Sequence, residues 1–264
     1  MRARPQRTWL PRAVEVVTDD DLAYAVDPEA LCAGNRVRLL IDGEQAFPAM
    51  LEAIAAAQTF VHLETYIFEH DLIGIRFGEA LSERARAGVK VRVIVDAIGG
   101  MSLPGSFIAA LRADGVEILI YRPLIARKTF GRWTRRDHRK LLVTDGTAAF
   151  IGGINIGDEY AATGDGGRGW RDTHVRVEGP VVGQIEALFS DTWHGEGGAP
   201  YRAYPREADE SVAVPGSVFA AALGSDDRGN RTAIRRAYLH AIARARQYIY
   251  IANAYFVPDR GIRR

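Results

Sequence analysis

His138-Arg139-Lys140-Leu141-Leu142-Val143-Thr144-Asp145-Gly146-Thr147-Ala148-Ala149-Phe150-Ile151-Gly152-Gly153-Ile154-Asn155 is the stretch whose reading decides the fold. Leu141 to Val143 form one apolar strand core and Ala148 to Ile151 a second, and Asp145-Gly146 between them is a strong hairpin signal. Two antiparallel strands are expected. Side chains two apart on a strand point the same way, so His138 and Lys140 share a face. Gly152 and Gly153 let backbone approach closely whatever sits there, and Asn155 adds an amide donor. An imidazole, an ammonium and an amide beside open backbone N–H groups suit a phosphate oxyanion.

A lone His-x-Lys is weak evidence, since most such pairs are solvated strand residues, and an ordinary hairpin with an exposed basic face is the plain alternative. The ordered set is far more specific. His138, Lys140, Asp145, Gly152-Gly153 and Asn155 stand at the spacings of the HKD motif, so the chain resembles the phospholipase D superfamily. Gly152 to Tyr160, Trp170 to Pro180, Glu64-Thr65-Tyr66-Ile67-Phe68 and Asn253 to Pro258 resemble bacterial cardiolipin synthases, particularly those without N-terminal membrane helices. The resemblance covers roughly residues 36 to 264. It takes in the first of that group's two catalytic halves and the opening of the second.

The resemblance implies an α/β fold, a phospholipase D-like mixed sheet flanked by helices. It implies an enzyme that joins two phosphatidylglycerols into cardiolipin and glycerol through a phosphohistidine, with no metal and no cofactor. His138 is then the nucleophile, or the general acid if the second histidine takes that role, while Lys140 and Asn155 hold the non-bridging oxygens. Asp172 is the candidate for orienting the imidazole. Asp145 belongs to the catalytic motif, yet its place at the hairpin turn predicts side-chain-to-backbone bonding. Glu64, at a strand end where α/β sheets gather ligands, is expected to face substrate.

The composition is that of an ordinary globular protein, with 264 residues, 47% hydrophobic and 25% charged. A net charge of +1 gives no bulk field for nucleic acid, which makes it the lesser partner class. The single cysteine, Cys32, excludes an intramolecular disulfide and a thiolate metal cluster. No run of about 18 apolar residues suggests a membrane span. The expected placement is cytoplasmic and peripheral to the inner membrane, with anionic phospholipid, chiefly phosphatidylglycerol, as partner. Eight cations between Arg122 and Lys140, interleaved with Phe130 and Trp133, supply a surface for headgroups or other phosphates.

In chain order, residues 1–35 read as a lead-in and residues 36–195 as the phospholipase D-like domain. Strands are expected at Val37 to Ile41, Phe60 to Phe68, Val89 to Val95, Val116 to Tyr121 and Trp170 to Gly179. Helices are expected at Glu44 to Ala57, Gly74 to Ala87, Ser106 to Ala113 and Val181 to Trp193. Residues 196–229 read as a linker. Ala233 to Phe256 then echoes Ala46 to Phe68, a helix followed by a β-rich run, so residues 230–264 read as the incomplete start of a second repeat. Of the other histidines, His62, His174, His194 and His240 are expected to be packing or surface residues.

One motif supplies one histidine, whereas the implied chemistry uses two. Either two chains pair as a homodimer with both motifs facing one pocket, or the chain is a truncated product whose second histidine lies beyond Arg264. The incomplete repeat favours truncation. Alternatives to the transferase are a dimeric phosphodiesterase or nuclease, and a catalytically dead phosphate-binding module.

Overall fold

A computed structural model describes residues 25, 27–123, 136–201, 215–225, 232–258 and 260–262. Its centre is an eight-stranded mixed sheet. The strands are β1 (Cys32–Ile41), β2 (Phe60–Thr65), β3 (Lys90–Asp96), β4 (Glu117–Tyr121), β5 (Leu141–Thr144), β6 (Ala148–Gly152), β7 (Thr173–Glu178) and β8 (Val218–Ala220). They are arranged in the order β4-β3-β2-β5-β6-β7-β1-β8. The helices are α1 (Asp42–Ala56), α2 (Leu72–Arg86), α3 (Gly105–Ala113), α4 (Val181–Gly195) and α5 (Ala233–Arg244).

β2, β3 and β4 run parallel, joined by the crossover helices α2 and α3. From β2 outward through β5, β6, β7, β1 and β8 every pairing is antiparallel. The Asp145-Gly146 turn joins β5 to β6 with both residues at positive φ, 52° and 63°. The Thr147 amide closes it on the Thr144 carbonyl at 3.0 Å, the two-residue geometry that matches strand twist.

Strand alternation divides the core in two. Val61, Leu63, Val93, Leu142 and Phe150 pack beneath α1 and α2, against Phe47, Ile54, Phe77 and Leu81. Phe60, Ile94, Leu141, Val143 and Ala149 face the other way, onto Val182, Ile185, Phe189 and Trp193 of α4. The layers are therefore helices, sheet and helix, and the central strands are apolar on both faces because both are covered.

Helix ends follow local chemistry. Asp71 caps α2 by accepting the Gly74 amide at 2.9 Å, and Gly88 leaves it at φ 89°. Two expectations are revised. Val218–Ala220, inside the stretch read as a linker, pairs with β1 as a sheet edge. The β-rich run after α5 forms no strand among the described residues, and Tyr248, Tyr250, Tyr255 and Val257 are exposed there. A strand needs a neighbour to accept its ladder of hydrogen bonds, and none is present for this segment among the described residues.

Candidate active site

The topology gathers the predicted residues at one end of the sheet. β2 and β3 finish there, β5 begins, β6 finishes and β7 begins. Tyr66, Asp96, His138 to Lys140, Gly152 to Asn155 and Asp172 to His174 consequently converge, although the sequence spreads them over more than one hundred positions.

The His138 segment is held from below. Asp96, buried at the end of β3, accepts the Asp137 amide at 3.0 Å and the Arg136 guanidinium at 3.4 Å. Asp137 in turn accepts the Arg139 amide at 3.2 Å. His138 itself is exposed, with its ring 4.7 Å from that of Tyr66. Partial desolvation, and then the charge of Lys140, hold its imidazole below the ordinary histidine pKa. At neutral pH it is a free base with a lone pair to offer.

Lys140 is buried, and its Nζ donates to the His138 carbonyl at 2.8 Å and lies 5.3 Å from the Tyr66 ring centre. Burial lowers its pKa to about 8, a drop that the carboxylates of Asp137, Asp172 and Asp96 partly offset. It remains charged at pH 7 but close to its titration.

Asn155 is buried too. Its Oδ1 accepts the Ile67 amide at 3.2 Å and its Nδ2 donates to the Tyr160 hydroxyl at 2.8 Å, which leaves one amide hydrogen for a ligand. The glycine pair is required by β7. A Cβ at Gly152 would lie 2.7 Å from Nδ1 of His174, and one at Gly153 would collide with the Asp172 carboxylate. In place of the expected bond to the His138 ring, Asp172 Oδ1 accepts the Thr173 amide at 2.6 Å, and its charge acts on Lys140.

Asp145 is structural in a way its turn position only half suggests. Its carboxylate accepts the amides of Gln58, Thr59 and Phe60, each at 2.8 Å, and so ties the hairpin to the start of β2. Glu64 does not face solvent. It is wholly buried on the α4 side, where it accepts the Thr192 hydroxyl at 3.2 Å and stands 3.6 Å from Arg139.

Burial first, then Asp137, push the Glu64 pKa well above the carboxylate range. Glu64 Oε2 and Asp137 Oδ2 are both buried without another partner among the described residues. A proton on Glu64, donated to Asp137, satisfies both oxygens.

The described part of the basic stretch turns inward. Arg127, Lys128, Phe130, Arg132, Trp133 and Arg135 lie outside the described residues. Of the others, Arg122 pairs with Glu196 at 3.3 Å, Arg136 with Asp96 and Arg139 with Glu64. These cations hold the molecule together internally.

His62 is a packing residue with a polar network. Arg92 donates to its Nε2 at 3.2 Å, so its Nδ1–H faces Glu186 at 2.9 Å, and its ring stacks on Phe189. Among the described residues no cluster of His, Cys, Asp and Glu could hold a metal ion, and no helix is long and apolar enough to cross a membrane.

Sequence reasoning passed over Asp96, Asp137, Tyr66 and His174 as parts of this site. A signal existed for Asp96, the one charged residue ending a buried apolar strand. None existed for Tyr66 and His174, whose neighbours come from distant strands, whereas Asp137 stands directly before His138.

Fold and site together define an α/β protein that presents one exposed imidazole beside one buried ammonium at a sheet end. The profile of the family described as "Cardiolipin synthase, PLD-like domain" matches residues 50–193, more than half of the chain. The chain belongs to that phospholipase D-like family. It is 34% identical over 246 residues to the cardiolipin synthase of Geobacillus thermodenitrificans, a match covering 91% of this chain and 48% of that protein. It is 35% identical over 263 residues to cardiolipin synthase A of Pseudomonas entomophila, covering 97% of this chain and 54% of that protein. The chain thus spans about half the length of the curated relatives it matches. Among solved structures, the phospholipase D family member Nuc from Salmonella typhimurium aligns with 64% of this chain and 99% of its own. That match has 18% identity and a TM-score of 0.47.

Proposed function

We propose that this chain carries one catalytic half of a phosphatidyltransferase that converts two phosphatidylglycerols into cardiolipin and glycerol. The observation that carries the reading is the pairing of exposed His138 with buried, cationic Lys140 at the sheet end, inside the region matched by the family profile.

Neutral His138 attacks phosphorus, forming an N–P bond, while the glycerol alkoxide leaves with a proton from a second histidine. The hydroxyl of a second phosphatidylglycerol then attacks phosphorus and gives its proton back to that histidine. The N–P bond breaks and His138 is free again. Lys140 faces the non-bridging oxygens, where charge grows in the five-coordinate transition state, and the spare amide hydrogen of Asn155 adds a neutral donor. Phospholipid headgroups at a bilayer surface are the partner.

The second histidine belongs to another motif. A partner copy across a two-fold axis, or a second repeat of which Ala233–Arg244 is the first helix, would bring it. The echo of Ala46 to Phe68 in Ala233 to Phe256 supports the repeat.

The test is turnover of labelled phosphatidylglycerol in mixed micelles, with molar mass measured by light scattering. Cardiolipin formed by a dimer, and lost in His138→Ala, would assign the second histidine to a partner copy; no turnover from a monomer that binds phosphatidylglycerol would assign it to a second repeat. Phosphatidic acid as the product would make water the acceptor and the protein a phosphodiesterase. An intact dimer that binds phosphatidylglycerol without turning it over would make the motif a phosphate grip.

A further inference from the structure

The catalytic reading leaves His174, a buried titratable group at the same sheet end, unused. His174 is 1% exposed, and neither of its ring nitrogens has a hydrogen-bond partner among the described residues. Stranding both polar atoms of an imidazole in an interior carries a real cost, so its surroundings matter.

They are fixed by strand register. His174 on β7 stands opposite Gly152 on β6 and opposite Leu40 on β1. Leu141 on β5 stands opposite Ile151, so one step on, Lys140 stands opposite Gly152, whose amide points at the Lys140 carbonyl at 3.4 Å. Lys140, Gly152 and His174 therefore form one row across three adjacent strands, with side chains directed to one face. The middle member has no side chain. The His174 ring fills that place, with Nδ1 2.7 Å from where a Gly152 Cβ would be. The glycine brings the imidazole and the lysine together.

We propose that His174 is a positioning residue for Lys140, its neutral imidazole offering a nitrogen lone pair to the ammonium across Gly152. Burial, and then the Lys140 charge, hold the His174 pKa down to about 4, so the ring is uncharged throughout the working range and one nitrogen is always an acceptor. At rest, Nζ donates to the His138 carbonyl. An ammonium carries three hydrogens, so it can bond His138 and His174 and still direct one at a phosphate oxygen. The other groups facing Lys140 are the carboxylates of Asp137, Asp172 and Asp96, the His138 imidazole and the Tyr66 ring. His174, unlike these, is a buried neutral acceptor without another partner among the described residues.

The purpose assigned to Lys140 rests on the phosphodiester reading, so the test reads the lysine directly and needs no turnover. The chain has three lysines, Lys90, Lys128 and Lys140, and lysine labelled with 13C at Cε gives few signals to assign, with Lys140→Arg identifying the one in question. Removing a neutral acceptor destabilises the ammonium. The Lys140 titration midpoint should therefore fall by roughly one unit in His174→Leu, the size of one hydrogen bond to a charged donor. His174→Gln, which keeps an acceptor and a donor, should return the midpoint towards that of the parent. Should His174→Leu not fold, His174→Phe keeps the ring shape without its nitrogens and carries the same expectation. An unmoved midpoint in a folded Leu or Phe variant overturns the proposal, as does a Gln variant that titrates like the apolar ones. Absence of cardiolipin synthesis alongside a moved midpoint would count against the enzymatic reading alone.

Discussion

Replacing Asp145 with alanine separates a structural from a chemical role for the third letter of the motif. The carboxylate accepts three amides, and their fates differ when it is gone. Gln58 and Thr59 are exposed, so water replaces most of what they lose. Phe60 is 1% exposed, and its stranded N–H costs about 1–3 kcal/mol. Alanine must also hold the left-handed conformation that Asp145 adopts at φ 52°, at about 1 kcal/mol or more. Together these give a loss of about 2–5 kcal/mol for Asp145→Ala.

Asparagine behaves differently. Its Oδ1 can keep Thr59 and Phe60, which Asp145 holds through one oxygen, and it tolerates the left-handed region, so Asp145→Asn should lose only about 1–2 kcal/mol. Urea unfolding followed by tryptophan fluorescence measures both. An Asp145→Ala chain within about 1 kcal/mol of the parent in stability, yet devoid of turnover, would refute this reasoning and place the carboxylate in the chemistry.

Further outcomes follow from the same geometry. Turnover should fall on the alkaline side with a midpoint near 8, where Lys140 loses its proton and with it the charge facing the phosphate; an alkaline limb unmoved in Lys140→Arg would contradict that assignment. Gly153→Ala should cut activity at least tenfold by driving a methyl group into Asp172, a loss read from steady-state rates on a variant whose circular dichroism is intact. Glu64→Gln should keep the fold within about 1 kcal/mol, because its amide can donate to Asp137 as the protonated acid does. The parent chain should lose stability as pH rises, because the Glu64 pKa is raised on folding; Glu64→Gln should lack that slope in unfolding experiments across pH. Phe189→Ala, from the centre of the α4 face, should cost about 3–5 kcal/mol in urea unfolding.

The architecture was legible where the cause is local. Asp145-Gly146 between two apolar runs specifies a hairpin because few residues tolerate two successive positive φ angles, and the structure has that turn. Gly88 marks the end of α2 for an equally local reason, its left-handed backbone. The sheet order was not legible, because β5 docks beside β2 through pairings between residues some eighty positions apart. What hung on that order was hidden with it. Glu64 ends a strand, as the sequence says, but whether that end opens to solvent or lies under α4 depends on parity within the sheet. The arginines between Arg122 and Lys140 read as one basic surface, yet Arg122, Arg136 and Arg139 reach acidic side chains just past the end of α4, on β3 and on β2. His174 looked bland because its significance comes from a glycine on the neighbouring strand.

The central claim is that His138 becomes covalently attached to phosphorus, and it can be tested without the second histidine. When His138 attacks a nitrophenyl phosphodiester, the P–O bond that breaks expels a stable phenolate that needs no general acid, so one motif suffices for the first step. Incubation with bis(4-nitrophenyl) phosphate, followed by alkaline digestion and mass spectrometry, should show a phosphoryl adduct on His138. Nitrophenolate should be released in a burst equal to the modified chains, and both should vanish in His138→Ala. An adduct at another residue, or a burst that survives in His138→Ala, would contradict the account.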